Sequence, residues 1–174
     1  MLERDVTLDI SNRTTTLLQA QCVRVQMTRS GADPYHTLLY PAQIVNQVNP
    51  NISVSIHANA GGGTGTEACY QDNKSTTPQS QDLSRRLTDA IASSMSLSNR
   101  GIFSEYISGR CGKGGQLYIH NMNPTAAPIE TAFIDSSADA AKLRDRRQDF
   151  AQAIADGIMA YLGESVSRWG HTGR

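Results

Sequence analysis

Two positions combine a chemically capable side chain with an unusual setting. His57 closes the alternating run Ser53-Val54-Ser55-Ile56-His57, after which Ala58-Asn59-Ala60 leads into Gly61-Gly62-Gly63-Thr64-Gly65. Val54 and Ile56 take one side of a half-buried strand, and Ser53, Ser55 and His57 take the other. An imidazole at a strand end, with glycines giving the backbone room just after it, can hold a metal or shuttle a proton; the plainer reading is a structural histidine with both ring nitrogens satisfied. Glu130 stands inside Pro128-Ile129-Glu130-Thr131-Ala132-Phe133-Ile134, a run otherwise suited to burial. Ionised carboxylates are seldom buried without a partner or a metal, and an isolated one raises its own pKa. Such a glutamate either has a chemical task or sits in an ion pair at an exposed strand end.

The elements that must position these residues follow from periodicity. Val6, Ile10, Leu17 and Leu18 predict a helix from Arg4 to Gln21, and Cys22 to Met27 alternates as a strand. Leu38, Ala42, Val45 and Val48 recur at helical spacing before the turn Asn49-Pro50-Asn51 and the histidine strand. Glu67 to Gln71 reads as a strand, and Leu83, Leu87, Ile91 and Met95 define an amphipathic helix. Strands are expected at Ile102 to Ile107, Gln116 to Ile119 and Ala127 to Ile134, with a glycine-rich loop Ser108 to Gly115 between the first two. Asp135-Ser136-Ser137 can cap a helix, and the closing helix carries Phe150, Ile154, Ile158 and Leu162. Strands alternating with helices predict an α/β fold, a mixed, largely parallel central sheet with helices on both faces and ligand sites at strand ends. Residues 1–162 form one domain, and 163–174 a polar tail or linker.

Composition narrows the function classes. Sixteen basic and sixteen acidic residues leave no net field for nucleic acid or an anionic membrane. No apolar run spans a bilayer, and Met1-Leu2-Glu3-Arg4-Asp5 lacks the basic start of an export signal, so the chain reads as soluble and without an export signal; a monomer is the expectation. The amides of Gly61 to Thr66 could cradle an anion, but the run lacks the Lys-Ser/Thr ending of a phosphate loop and leads into a strand. No Gly-x-Ser-x-Gly elbow anchors a serine hydrolase. Cys22, Cys69 and Cys111 lie too far apart for a zinc knuckle; Cys69 and Cys111 pair in an oxidising compartment or remain free thiols.

Five stretches occur in order: Glu3-Arg4-Asp5-Val6-Thr7-Leu8-Asp9-Ile10, Val23-Arg24-Val25-Gln26-Met27-Thr28-Arg29, Ser55-Ile56-His57-Ala58-Asn59-Ala60 with Gly65-Thr66-Glu67, Asn99-Arg100-Gly101, and Ile129-Glu130-Thr131-Ala132-Phe133-Ile134. Together they resemble the zinc-dependent N-acetylmuramoyl-L-alanine amidases that cut bacterial cell wall, from Glu3 to about Leu162. The resemblance implies a phosphorylase/hydrolase-like fold and a zinc held by histidine, glutamate and histidine. Glu3 matches the metal-binding glutamate, His57 the second histidine, and Glu130 the catalytic glutamate. The family's first histidine lies in a loop after a first strand, and this chain begins after that point; it is expected to be N-terminally shortened and one zinc ligand short. None of His36, His120 and His171 matches the missing position. Pro41 stands where the family often has arginine, and Cys22 where it has glycine.

The implied reaction is hydrolysis of the amide between N-acetylmuramic acid and the L-alanine of the stem peptide, by an autolysin or an endolysin. Zinc would polarise the carbonyl and acidify water, and Glu130 would relay the proton to the leaving amine. Peptidoglycan is the expected partner and the cell wall, outside the cytoplasm, the expected place of work. The alternative is a peptidoglycan-binding module impaired in catalysis by the lost ligand.

Overall fold

The computed structural model describes residues 1–31, 37, 39–106 and 117–169, with 117, 118 and 164–169 as backbone only. Ten elements follow one another: α1 (Glu3–Ala20), α2 (Tyr40–Val48), β1 (Ile52–Asn59), β2 (Thr66–Tyr70), α3 (Thr77–Met95), β3 (Asn99–Ser104), α4 (Leu117–His120), β4 (Thr125–Phe133), α5 (Ser137–Asp145) and α6 (Arg147–Trp169). The strands form a four-stranded sheet in the order β1-β4-β2-β3. β1 with β4 and β2 with β3 are parallel, and β2 with β4 is antiparallel, so the sheet is mixed and largely parallel.

Strand alternation explains how this sheet acquires two different faces. Ala127 and Ile129 of β4 belong to the main core with Ala68 of β2, and Ile56 of β1 packs against that core. The intervening positions, Ala126 and Glu130, must point the other way. Ala126 packs there with Ala42 and Val45 of α2, Ile119 of α4, and Met122. Helices thus cover both faces.

The main core is built by α1, α3 and α6. Leu83, Leu87, Ile91 and Met95 of α3 are fully buried, as are Phe150 and Ile154 of α6 and Val6 and Ile10 of α1. Each set steps by four residues, which keeps it on one helical face. Gly157 lets α6 approach α3 closely, since a Cβ there would lie 3.1 Å from the carbonyl oxygen of Arg86. Ser80 and Ser84, also buried, donate to the carbonyls of Ala126 and Cys69 and so fasten α3 to the sheet.

Three sequence expectations are corrected. Cys22 lies in a turn and Val23 to Met27 in irregular chain, not in a strand. Val23 and Val25 still pack against the core, Val23 N donates to Leu18 O, and Thr15 Oγ1 donates to Met27 Sδ. The alternation is thus met by packing, but a strand also needs a ladder, and none pairs with it among the described residues. Leu117 to His120 is a helical turn, held where Gln71 Nε2 donates to the carbonyls of Ile119 and Met122 and Lys74 Nζ to those of His120 and Met122. The helix capped by Ser136 ends at Asp145, and the closing helix with Phe150, Ile154, Ile158 and Leu162 runs from Arg147 on to Trp169, past the expected start of the tail. Ser136 does cap α5, its hydroxyl accepting from Asp139 N at 3.5 Å.

Cys69 is disulfide-bonded and Cys22 is free and exposed. Cys111 and the loop Ser108 to Gly115 lie outside the described residues, as do Ile107 and Gln116.

Candidate active site

His57, Glu130 and Glu67 occupy one row across three adjacent strands. His57 is the register partner of Glu130 in the parallel β1–β4 pair, and Glu130 that of Glu67 in the antiparallel β2–β4 pair. Register partners share a sheet face, and this is the face opposite the main core. Just beyond His57 the register shifts, so that Asn59 pairs with Phe133. The extra residue is accommodated where Thr131 Oγ1 donates to the His57 carbonyl at 2.8 Å.

Glu3 reaches the row from the first turn of α1, where acidic side chains suit the helix dipole. Its Oε1 lies 3.2 Å from His57 Nδ1 and accepts from Ala58 N, also at 3.2 Å. The other ring nitrogen, Nε2, lies 2.9 Å from Ser55 Oγ. Arg29 donates to Arg4 O and Thr7 Oγ1, fixing the helix start that carries Glu3.

The electrostatics sort these groups. The hydrogen bond from His57, helped by Ala58 N–H and the charge of Arg29, holds the Glu3 carboxyl below its ordinary range despite burial. Burial pulls His57 down, but its bond to Glu3 and the charges of Glu130 and Glu3 outweigh this and raise it. Glu130 is pushed up to about 7, chiefly by burial, with His57 opposing and Glu3 and Glu67 adding to the rise. Its Oε2 is shielded from solvent and has no hydrogen-bond partner among the described residues. Glu67 differs: Arg100 Nε meets its Oε2 at 2.5 Å and Asn59 Nδ2 donates to its Oε1 at 2.9 Å. The guanidinium of Arg100 also lies 4.9 Å from the centre of the Phe133 ring.

The glycine run is a support for this site and not a phosphate cradle. Asp135 Oδ2 accepts from Gly61 N and Gly62 N, and Asp139 Oδ2 from Gly65 N and Phe133 N, so the anions that occupy these amides are the protein's own. Gly63 is required by crowding, since a Cβ there would lie 2.5 Å from the Phe133 ring, and Gly65 by its φ of +104°.

Two bonds of about 2.0–2.1 Å at a tetrahedral angle hold their donor atoms roughly 3.3 Å apart, and imidazole nitrogen and carboxylate oxygen are both zinc donors. The 3.2 Å pair of His57 Nδ1 and Glu3 Oε1 therefore fits two positions of a zinc site. A catalytic zinc takes three protein ligands, and among the described residues no group of three His, Cys, Asp or Glu side chains is arranged to hold a metal. His120 is engaged elsewhere, its Nδ1 lying 3.2 Å from Oε1 of buried Glu105 just after β3. His36 and His171 lie outside the described residues.

Sequence reasoning named Glu3, His57 and Glu130, and the structure brings these three together. It gave no site role to Ser55, Asn59, Glu67 or Arg100, which it named only within the family stretches, nor to Asp135, named only in a helix cap, nor to Asp139. Ser55 was findable, because residues two apart on a strand share a face; the Glu67–Arg100 pair joins β2 to β3 across 33 positions and leaves no local trace.

The chain thus sets a carboxylate and an imidazole together at a strand end of a mixed α/β sheet, beside a second, largely buried carboxyl. A family model described as N-acetylmuramoyl-L-alanine amidase matches residues 1–160, and the chain belongs to that family. It is 29% identical over 168 residues to the N-acetylmuramoyl-L-alanine amidase LytC of Bacillus subtilis (strain 168), covering 92% of this chain and 31% of that protein. The chain thus spans about a third of this curated relative. An N-acetylmuramoyl-L-alanine amidase of Clostridium difficile 630 superposes with a TM-score of 0.82 at 25% identity, over 94% of this chain and 85% of the other. The catalytic domain of CwlV, an amidase from Bacillus (Paenibacillus) polymyxa var. colistinus, gives 0.77 at 26% identity, over 92% and 85%. No helix among the described residues is long and apolar enough to cross a membrane.

Proposed function

We propose that residues 1–162 are a catalytic domain that hydrolyses the amide between N-acetylmuramic acid and the L-alanine of the peptidoglycan stem peptide. The observation that carries this reading is the row His57–Glu130 with Glu3 closing on His57. Glu3 and His57 are two of the protein ligands of a zinc ion. Zinc held there supplies Lewis acidity to the amide carbonyl and to the attacking water.

Glu130 is the proton carrier. A carboxyl near 7 is present in both forms at neutral pH, so it can take a proton from water and return it to the leaving nitrogen, which departs poorly as an anion. Among the described residues its Oε2 has no partner that would compete for that proton. The neighbouring carboxylate, Glu67, is engaged in an ion pair with Arg100. The domain works as a monomer on the wall outside the cytoplasm, a setting in which the disulfide at Cys69 persists.

The test is release of stem peptide from purified sacculi with zinc added, for the parent, Glu130→Gln and Glu3→Gln. Glutamine keeps the shape of Glu130 but cannot accept the proton, so Glu130→Gln should lose about 10²–10⁴ in rate with zinc content unchanged. Glu3→Gln should lose zinc together with activity. A Glu130→Gln rate within about threefold of the parent excludes the proton-carrier role. A parent that binds sacculi and releases nothing at any zinc concentration is a binding module instead.

A further inference from the structure

Ser55 and His57 are two residues apart on β1 and project from the same face. The imidazole leans back along the strand until Nε2 lies 2.9 Å from Ser55 Oγ, which leaves Nδ1 facing Glu3. These two neighbours place unequal demands on the ring. A carboxylate only accepts hydrogen bonds, whereas a hydroxyl can donate or accept.

While Nδ1 carries the proton that meets Glu3 Oε1, a neutral ring offers Nε2 as an acceptor and Ser55 O–H can donate to it. A cation between Nδ1 and Glu3 reverses this. Nδ1 must then present its lone pair, the ring proton moves to Nε2, and the group beside Nε2 has to accept. A hydroxyl can donate or accept and so meets both demands without charge, and alanine meets neither.

We propose that Ser55 is the positioning residue of His57: its hydroxyl holds the ring with Nδ1 toward Glu3 and accepts the Nε2 proton once a metal cation takes Nδ1. This rests on reading Glu3 and His57 as metal ligands. Polar partners behind a ligating histidine typically contribute about 10–100-fold in metal affinity, which sets the size of the effect.

The experiment is a titration of the chain with zinc alone, in competition with a chromophoric chelator, for the parent, Ser55→Ala, Ser55→Thr and Glu3→Gln. It is paired with ¹⁵N spectra of the histidine rings and with melting of the metal-free proteins. Ser55→Ala should bind zinc about tenfold or more weakly than the parent, and Ser55→Thr, which keeps the hydroxyl, within about threefold. Metal-free Ser55→Ala should melt somewhat lower than the parent, having lost the bond to Nε2, while still unfolding cooperatively, and Ser55→Thr should melt close to the parent. In the zinc-loaded parent the His57 proton should sit on Nε2 and exchange slowly with water, and that slow exchange should be lost in Ser55→Ala. Zinc affinity in Ser55→Ala equal to the parent's, with Glu3→Gln strongly weakened, overturns the role of Ser55 and leaves the metal pair standing. Equal affinity in all four proteins, or none in any, removes the metal pair and this proposal with it.

Discussion

Glu67 and Glu130 stand opposite each other across the antiparallel β2–β4 pair, yet one is held by a guanidinium and a side-chain amide while the other has a shielded oxygen with no partner among the described residues. Identical residue types in adjacent positions therefore do different work. The side chains that reach them from β3 and from the end of β1 decide which is which.

That contrast predicts a pH-dependent stability. Glu130 binds its proton more tightly in the folded than in the unfolded chain, about 7 against an ordinary 4.5. Between these values the folded state holds more protons, so this carboxyl costs stability as pH rises, and the loss is complete above about 7. Glu130→Gln removes the titration. In chelator-treated protein, urea melts should show the variant gaining on the parent from pH 5 to pH 7.5, by on the order of 2 kcal/mol. A difference that is flat with pH would show that Glu130 does not titrate in this range.

Arg100→Ala should be costly. Glu67 is almost fully buried and Arg100 partly so, and removing the guanidinium leaves a buried carboxylate with its amide partner alone. Breaking buried pairs costs about 3–5 kcal/mol, and partial exposure of Arg100 brings the expectation nearer 2–3 kcal/mol. Arg100→Met combined with Glu67→Gln should recover part of the loss. Chemical denaturation of the three variants checks this, and a single variant as stable as the parent would remove the pair from the account.

The glycine loop should depend on Asp139. Its carboxylate is buried and accepts from Gly65 N and Phe133 N, so Asp139→Ala orphans two backbone donors at roughly 1–3 kcal/mol each before relaxation. Asp139→Asn retains an acceptor oxygen and should cost less. Hydrogen exchange at Gly65 and Phe133 should accelerate in Asp139→Ala; unchanged protection there would mean that other acceptors serve.

Cys22 offers a stabilising change. It is exposed with φ +62°, a left-handed conformation that costs a non-glycine residue about 1–2 kcal/mol, partly offset by the extra freedom glycine brings to the unfolded chain. Cys22→Gly should gain about 0.5–1 kcal/mol, measured by urea midpoint under reducing and non-reducing conditions. A loss of stability would show that the thiol makes a contribution that this backbone argument omits.

By itself the sequence determined the elements whose apolar spacing is unambiguous. The four-residue steps of α3 and α6 and the two-residue steps of β1 hold because a buried face recurs at a fixed period whatever lies opposite. It also singled out His57, and Glu130 as a carboxyl in an apolar strand, since a charge in such a run needs a reason. Glu3 was legible only through the family likeness, being one of many acidic residues at a helix start.

Tertiary structure decided what depends on neighbours distant in sequence. Alternation in Cys22 to Met27 could not become a strand without a ladder, and the short run at Leu117 to His120 turned helical because Gln71 and Lys74 bind its carbonyls. Which glutamate is ion-paired and which is left to burial depends on Arg100 arriving from β3 and on a register that sets Glu67, Glu130 and His57 in one row. Register and burial are properties of the assembled sheet. A residue's charge state follows from them and not from its flanking residues.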